Sequence, residues 1–156
     1  MTAVLSVGSN LGERLGFLRL AVEVLRPRSV SPVYETTPVG EVAQGDFLNA
    51  VLLCELSAQD AWDLAQAAEQ RGGRERAVPG GPRTLDVDVI CAPPPVPPGL
   101  LLPHPRAHER AFVLAPWLDV DPRAVLPGRG AVSDLLRARG CTGVQRRDDL
   151  LLVLGP

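Results

Sequence analysis

The chain has 156 residues, 46% of them hydrophobic and 22% charged, which is typical of one folded domain and not of a disordered chain. Its net charge is −2 and all sixteen basic residues are arginine, so no overall positive field favours nucleic acid or a membrane surface. No apolar run reaches membrane-spanning length, no signal-peptide pattern is present, and the three cysteines form no metal-binding or disulfide motif. We therefore expect a single domain over residues 1–156 in a reducing cytoplasm.

The chain begins with the pattern of a buried strand followed by a helix. Residues 3–7 form a short apolar run that ends at a glycine. Asn10 and Glu13 stand in the positions of a capping box, and an apolar stripe at spacings of three and four continues to Leu25. Pro27 then ends the predicted helix.

Further apolar segments predict strands at 29–35, 47–56 and 85–92. A second helix is predicted from Ser57 and Asp60 to the glycine pair that follows Arg71, with alanines on one face. Short helices around 107–118 and 132–139 and a last strand at 150–154 complete the chain. The order βαββαβ predicts an α+β fold, a ferredoxin-like antiparallel sheet with helices on one side and a C-terminal extension.

Asp86 and Asp88 are the sharpest chemical signal. Residues two apart in a strand project from one face, about 6.6 Å apart along the chain. Adjacent carboxylates repel unless a cation lies between them, and Mg²⁺ is commonly held by one or two carboxylates together with substrate phosphates and water. A strand with one solvated face explains the same spacing without a metal, so both interpretations stay open, although aspartate is depleted in strands.

Arginines are concentrated on both sides of this strand: Arg71, Arg74, Arg76 and Arg83 precede it, and Arg106 and Arg110 follow a proline-rich connector. The planar fork of arginine binds phosphate oxygens in a bidentate manner. Phosphoryl transfer depends mainly on positioning and on neutralising charge. A single exposed arginine is most often only solvated, but a cluster in a glycine-rich loop beside paired aspartates favours a phosphate site.

Three other features are weighed against ordinary structural explanations. His104, between two prolines, is interpreted as a hydrogen-bonding surface group. The segment 8–12 is too short for a dinucleotide fingerprint or a P-loop, so a tight strand-to-helix turn is favoured. Asn49, beside Phe47 in an apolar strand, is more informative, because a buried amide needs partners and the edge of a planar heterocycle can supply them.

Five segments in order, 7–12, 34–40, 47–50, 81–88 and 102–106, together resemble the 6-hydroxymethyl-7,8-dihydropterin pyrophosphokinase family. The resemblance extends to about residue 139. It implies an ATP-dependent diphosphotransferase that moves the β,γ-pyrophosphoryl unit of ATP to the pterin hydroxymethyl oxygen and releases AMP, in folate biosynthesis. The implied partners are these two small molecules, without nucleic acid or membrane, and a monomer is expected.

The resemblance also implies roles for individual residues. Asp86 and Asp88 would bridge two Mg²⁺ ions, with Arg83 and Arg76 as further catalytic residues. The implied pterin pocket consists of Thr36, Pro38, Val39, Phe47, Asn49 and Phe112. The implied ATP-binding residues are Gln66, Glu69, Arg76, Arg83, His104 and Arg110. Gln66 and Glu69 share one helix face because they are three residues apart.

The chain departs from the family pattern at Pro79-Gly80, where the family commonly has an Arg-Trp pair that contacts phosphate and closes over the pterin. This departure supports one alternative, a degenerate binder without turnover. A second alternative, a phosphotransferase with another acceptor alcohol, is disfavoured by the pterin-pocket matches. A ferredoxin-like RNA-binding domain would need aromatic platforms and a basic face, which are not visible. The segment from Cys141 onward does not match and is assigned no role.

Overall fold

A six-stranded antiparallel sheet organises the part of the chain that the computed structural model describes, residues 2–38, 44–73 and 84–152. In chain order the elements are β1 (Ala3–Ser9), α1 (Arg14–Leu25), β2 (Ser29–Val30), β3 (Tyr34–Thr36), β4 (Phe47–Cys54), α2 (Ala58–Arg71), β5 (Asp86–Cys91), a 3₁₀ helix (Ala107–Glu109), α3 (Ala111–Val120), β6 (Val125–Leu126), β7 (Gly130–Ala131), α4 (Val132–Arg139) and β8 (Val144–Arg146). The sheet order is β5-β1-β4-β3-β8, with β2 also paired to β4, while β6 and β7 form a separate ribbon. The ferredoxin-like α+β prediction is confirmed.

The two faces of the sheet carry separate apolar clusters because side chains alternate along each strand. In β1, Leu5 packs with α1 and α2, whereas Val4 packs on the opposite face with Trp117 of α3 and Val132 of α4. The two helices of the βαββαβ unit therefore share one side, as expected. The C-terminal extension covers part of the other side, a placement that the sequence pattern did not specify.

The segment predicted as one strand at 29–35 is two short strands that both pair with β4. Pro32 lies between them and has no backbone N–H to donate to the ladder. The Ser31 backbone instead donates to the Val51 carbonyl at 3.0 Å, and the Ser31 hydroxyl accepts from the Val51 N–H at 2.8 Å. The prediction of a continuous strand was wrong because a side chain replaces a ladder bond at this point.

The two long helices begin differently. For α2 the prediction is confirmed, since the Ser57 hydroxyl accepts from the Asp60 N–H at 3.1 Å. For α1 the predicted capping box was wrong, because Glu13 occupies the cap position without a side-chain bond. The Asn10 amide instead donates to the Gln44 side chain at 2.7 Å and to the Gly45 carbonyl at 3.0 Å.

The last strand also lies elsewhere than predicted. Residues 150–152 form no strand, and 153–156 lie outside the described residues. Instead β8 pairs with β3, and the Arg147 N–H donates to the Val33 carbonyl at 2.8 Å. An edge strand needs few apolar side chains, so the Val-Gln-Arg sequence of β8 gave no strand signal. The apolar run at 150–154 gave such a signal and was therefore predicted instead.

Among the described helices, none combines the length and apolar character that crossing a membrane requires.

Candidate active site

A cleft of about 640 Å³ opens on the sheet face that carries α3. Its floor comes from β1, β3, β4 and β5, and its walls come from the 106–112 segment and from residues 139–144. Nine residues predicted from the sequence line it: Thr36, Pro38, Phe47, Asn49, Asp86, Asp88, Arg106, Arg110 and Phe112. The fold thus brings the predicted acidic pair and most of the predicted heterocycle pocket into one cavity.

Strand register explains why the floor is polar. Gly8 of β1 pairs with Asn49 of β4 on one side and with Asp86 of β5 on the other, and Ser6 pairs with Asp88. Residues directly opposite each other in an antiparallel sheet project to the same face. Two steps further along the same strands, this face is filled by the apolar contacts of α3. The cleft therefore lies where small and polar residues replace apolar ones.

Asp86 and Asp88 face the cleft beside the Arg110 guanidinium. Arg110 Nη1 lies 3.5 Å from Asp88 Oδ2, and the Arg110 Cζ lies 5.5 Å from the centre of the Phe112 ring.

No group of three or more His, Cys, Asp or Glu side chains within 2–38, 44–73 and 84–152 is arranged to hold a metal. A site of two carboxylates suits Mg²⁺, which takes its remaining ligands from phosphate and water, better than zinc, which takes three or four protein ligands.

Asn49 lies across Gly8 from Asp86, and its side chain is held in place. It is 4% exposed, and its Oδ1 accepts from the Thr36 hydroxyl at 2.7 Å. Half-buried Phe47 and Phe112 line the same cleft and contribute apolar surface to it. A cleft that combines an oriented amide with two aromatic rings is suited to a flat, polar-edged ring system.

Three predicted ATP-binding residues, Gln66, Glu69 and His104, are not among the residues that line this cleft. Gln66 is exposed on α2. Glu69 is buried, and its Oε2 accepts from the Val87 N–H at 2.9 Å, on the outer edge of edge strand β5. This bond protects a backbone donor that the edge of the sheet would otherwise leave exposed.

His104 lies next to the charged groups of the cleft. Its backbone N–H donates to the Ile90 carbonyl at 2.8 Å, and its Nδ1 accepts from the Arg106 N–H at 3.2 Å. Burial, followed by the positive charges of Arg110 and Arg106, lowers the His104 pKa, against the opposing effect of Asp86. The imidazole is therefore neutral at pH 7, and its Nδ1 acts as a hydrogen-bond acceptor.

Several predictions lie outside the described residues: Val39, Arg74, Arg76, Pro79-Gly80 and Arg83. Other cleft residues were missed by the sequence analysis. Gly8 was interpreted as part of a turn, but it lies in β1, and the turn glycine is Gly12, with φ +76°. The alternation of Val4, Ser6 and Gly8 on one strand face was the signal that could have identified it.

The C-terminal wall was also missed. Arg139 lines the cleft and donates through Nε to the Glu109 carbonyl at 2.8 Å. Gly143 lines it as well, and its carbonyl accepts from the Thr37 N–H at 3.0 Å. No local signal marks these residues, because the packing of α4 against α3 brings Arg139 to the cleft and the pairing of β8 with β3 brings Gly143.

Comparisons with known proteins point to one family. The model of the 7,8-dihydro-6-hydroxymethylpterin-pyrophosphokinase (HPPK) family matches residues 4–122. A protein of Mycobacterium leprae is 47% identical over 149 residues, covering 81% of this chain and 75% of its own length. A Mycobacterium tuberculosis protein is 43% identical over 150 residues (86% and 80%), and one of Bacillus subtilis is 38% identical over 128 residues (76% and 77%). All three are named 2-amino-4-hydroxy-6-hydroxymethyldihydropteridine pyrophosphokinase.

Proposed function

The chain belongs to the 7,8-dihydro-6-hydroxymethylpterin pyrophosphokinase family, and on that premise we propose how its cleft serves the reaction. The enzyme transfers the pyrophosphoryl group of ATP to the hydroxymethyl group of the dihydropterin, a step of folate biosynthesis. The observation that carries the residue assignment is the shared cleft. Asn49 and the Asp86–Asp88 pair line it from the strands on either side of β1, so one substrate can contact both.

The pterin end is assigned to Asn49, Thr36, Pro38, Phe47 and Phe112, with Val39 as a predicted member outside the described residues. Support comes from the buried amide, which offers hydrogen bonds to a ring edge, and from the two aromatic side chains beside it. With the pterin ring edge bound to Asn49, the hydroxymethyl group would point along the cleft floor, past Gly8, toward Asp86 and Asp88. The residues of the floor thereby orient the attacking oxygen.

The phosphate end is assigned to Asp86 and Asp88, which would hold two Mg²⁺ ions. When bound, the ions would neutralise the transferring phosphates and favour loss of the hydroxyl proton. Arg110, which lies 3.5 Å from Asp88, adds a positive charge on the same side. Gln66, Glu69, Arg76, Arg83 and His104 stay predictions as ATP-binding residues. For His104 the supporting observation is that its Nδ1 accepts from the N–H of Arg106, which lines the cleft, at 3.2 Å.

We further propose that the enzyme is a monomer in the reducing cytoplasm, without nucleic acid or membrane partners. All three cysteines are free, and burial raises the pKa of Cys54 and Cys91 to about 11, so both are neutral thiols at pH 7. Sedimentation equilibrium tests the monomer directly, since the chain mass is 16.6 kDa.

The test is to mix the protein with ATP, Mg²⁺ and 6-hydroxymethyl-7,8-dihydropterin and to identify the nucleotide product by chromatography. We expect AMP together with the pterin diphosphate. We expect Asp86→Ala to lower kcat by at least about 100-fold, the scale for loss of a charge-stabilising group. Asp134→Ala is the matched control, because Asp134 is exposed on α4 and contacts Arg137 outside the cleft.

Other products would support the alternatives. ADP would indicate transfer of a single phosphoryl group. Tight pterin binding with a non-hydrolysable ATP analogue, but no product with ATP, would indicate the degenerate binder and direct attention to Pro79-Gly80. The reaction rate is also measured at increasing Mg²⁺ concentrations. A rate that depends on the first power of the Mg²⁺ concentration at every concentration below saturation would contradict the proposal of a second ion.

A further inference from the structure

The Asn49 carboxamide is fixed on two sides by residues of neighbouring strands. On the first side, the Thr36 hydroxyl of β3 donates to Asn49 Oδ1 at 2.7 Å, and both side chains are buried. Because this hydroxyl donates its only proton to Oδ1, the oxygen end of the carboxamide faces Thr36. Nδ2 and its two N–H bonds are at the other end of the carboxamide. The bond therefore distinguishes the two ends of the amide.

On the second side, the amide lies across Gly8 of β1. A Cβ atom built on Gly8 would be 2.6 Å from Asn49 Nδ2 and 3.4 Å from Cδ1 of the Phe47 ring. Gly8 is in a regular strand and is not among the glycines with positive φ, so its conformation is open to any residue. Glycine is required at this position for space and not for backbone freedom.

We propose that Gly8 and the Thr36 hydroxyl are positioning residues that set the place and orientation of the Asn49 carboxamide and thereby the affinity for the acceptor alcohol. This inference rests on the proposed function, in which Asn49 binds the pterin edge. Gly8 acts by leaving room for Nδ2, and Thr36 acts by holding Oδ1. Both residues line the cleft, and in this role each acts on the substrate through Asn49.

Gly8→Ala tests the first half of the inference. The clashing atom is the end of a flexible side chain, so the amide moves and the strand stays, and the bond from Thr36 is lost or lengthened. We expect KM for 6-hydroxymethyl-7,8-dihydropterin to rise about tenfold, the scale of one buried hydrogen bond, with KM for ATP changed less than about twofold. The matched control is Gly16→Ala in α1, where the nearest contact of a Cβ is an ordinary 3.6 Å.

Thr36 variants test the second half. Thr36→Val removes the donor at similar volume, and Thr36→Ser restores it. We expect KM for the alcohol to rise about tenfold in Thr36→Val and to return to within about threefold of wild type in Thr36→Ser. A purely steric role for Thr36 predicts the reverse order, because valine preserves the shape better than serine, and that result would overturn the proposal.

A measurement without substrate separates this inference from the proposed function. Gly8→Ala is compared by urea unfolding in the wild-type and Asn49→Ala backgrounds. We expect it to destabilise the wild type and to be close to neutral once the amide is absent, since the clash is with that amide. Equal effects in both backgrounds, or an unchanged KM for the alcohol in Gly8→Ala, would overturn the positioning role. Absence of AMP from the wild type would instead overturn the proposed function and leave the unfolding test intact.

Discussion

At the scale of single residues, Arg110 links the two parts of the cleft. Its guanidinium lies 3.5 Å from Asp88 on the floor and 5.5 Å from the Phe112 ring on the wall. A planar cation can stack on an aromatic face and still direct its N–H bonds toward oxygen atoms. Arg110 thus contacts both the acidic floor and the aromatic wall, and in the proposed function its remaining N–H bonds would hold phosphate oxygens.

Arg110→Lys keeps the charge but removes the planar fork and the stacking. We expect kcat/KM for ATP to fall by about 10- to 100-fold, equivalent to about 1.4–2.8 kcal/mol. Steady-state kinetics with varied ATP at saturating pterin alcohol measures this. Arg137→Lys is the control, since Arg137 is 78% exposed and contacts only Asp134 among the ion pairs of the described residues. Equal kinetics in the two variants would show that Arg110 does not bind phosphate through its fork.

At the scale of elements, Glu35 joins β3 to its neighbours. Its Oε2 accepts from Arg14 Nη1 at the start of α1, and its Oε1 accepts from Arg147 Nη1 just after β8, both at 2.7 Å. The Arg14 guanidinium, and after it Arg147, lowers the Glu35 pKa against the opposing effect of burial. Because residues beside β8 form a wall of the cleft, this carboxylate helps to hold that wall on the sheet.

Glu35→Gln replaces two charged hydrogen bonds by weaker ones. We expect a loss of about 1–2 kcal/mol in the free energy of unfolding at pH 7. The folded pKa lies below the ordinary glutamate value of about 4.3, so the carboxylate stabilises the fold above that value and loses its effect as pH falls through the folded pKa. The gap between wild type and variant should thus narrow from pH 5 downward in urea unfolding.

A gap that stays constant between pH 7 and pH 3 would contradict this role of the Glu35 charge. The control is Glu23→Gln, whose carboxylate is 70% exposed and lies 3.8 Å from Arg71. Exposed pairs of this kind contribute about 0–1 kcal/mol, so the control should differ little from wild type at any pH.

At the scale of the whole molecule, one sheet supports two apolar clusters. Neighbouring residues of the central strands alternate between them, as Leu5 and Val4 do in β1 and Leu52 and Val51 do in β4. The Tyr34 hydroxyl further ties β3 to α3 by donating to Asp119 Oδ2 at 2.5 Å. Neither cluster can lose its packing without disturbing strands that the other cluster needs.

We therefore expect one cooperative unfolding transition. The chain has two tryptophans, Trp62 on α2 and buried Trp117 on α3, which report on opposite faces of the sheet. In Trp62→Phe and in Trp117→Phe, the remaining fluorescence and the far-UV circular dichroism should give the same denaturation midpoint. Midpoints that differ between the two probes within one variant would indicate two separately unfolding units.

Much of the fold was accessible from the sequence because strand and helix periods are local properties. The cap of α2 at Ser57, its end at the glycine pair and the bounds of α4 agree with prediction. The failures occurred where a distant partner competes with a local pattern. Asn10 binds the 44–45 segment instead of capping α1, and Ser31 replaces a ladder bond beside Pro32.

The sequence by itself determined the family, the βαββαβ order and the common face of Asp86 and Asp88, because these depend on motifs, on period and on spacing along the chain. Only the tertiary structure decided that Gly8 separates Asn49 from Asp86, that Thr36 holds the Asn49 amide, and that Arg139 reaches the cleft. Register between strands and docking of the C-terminal segment join residues far apart in sequence, and no local period encodes which of them meet.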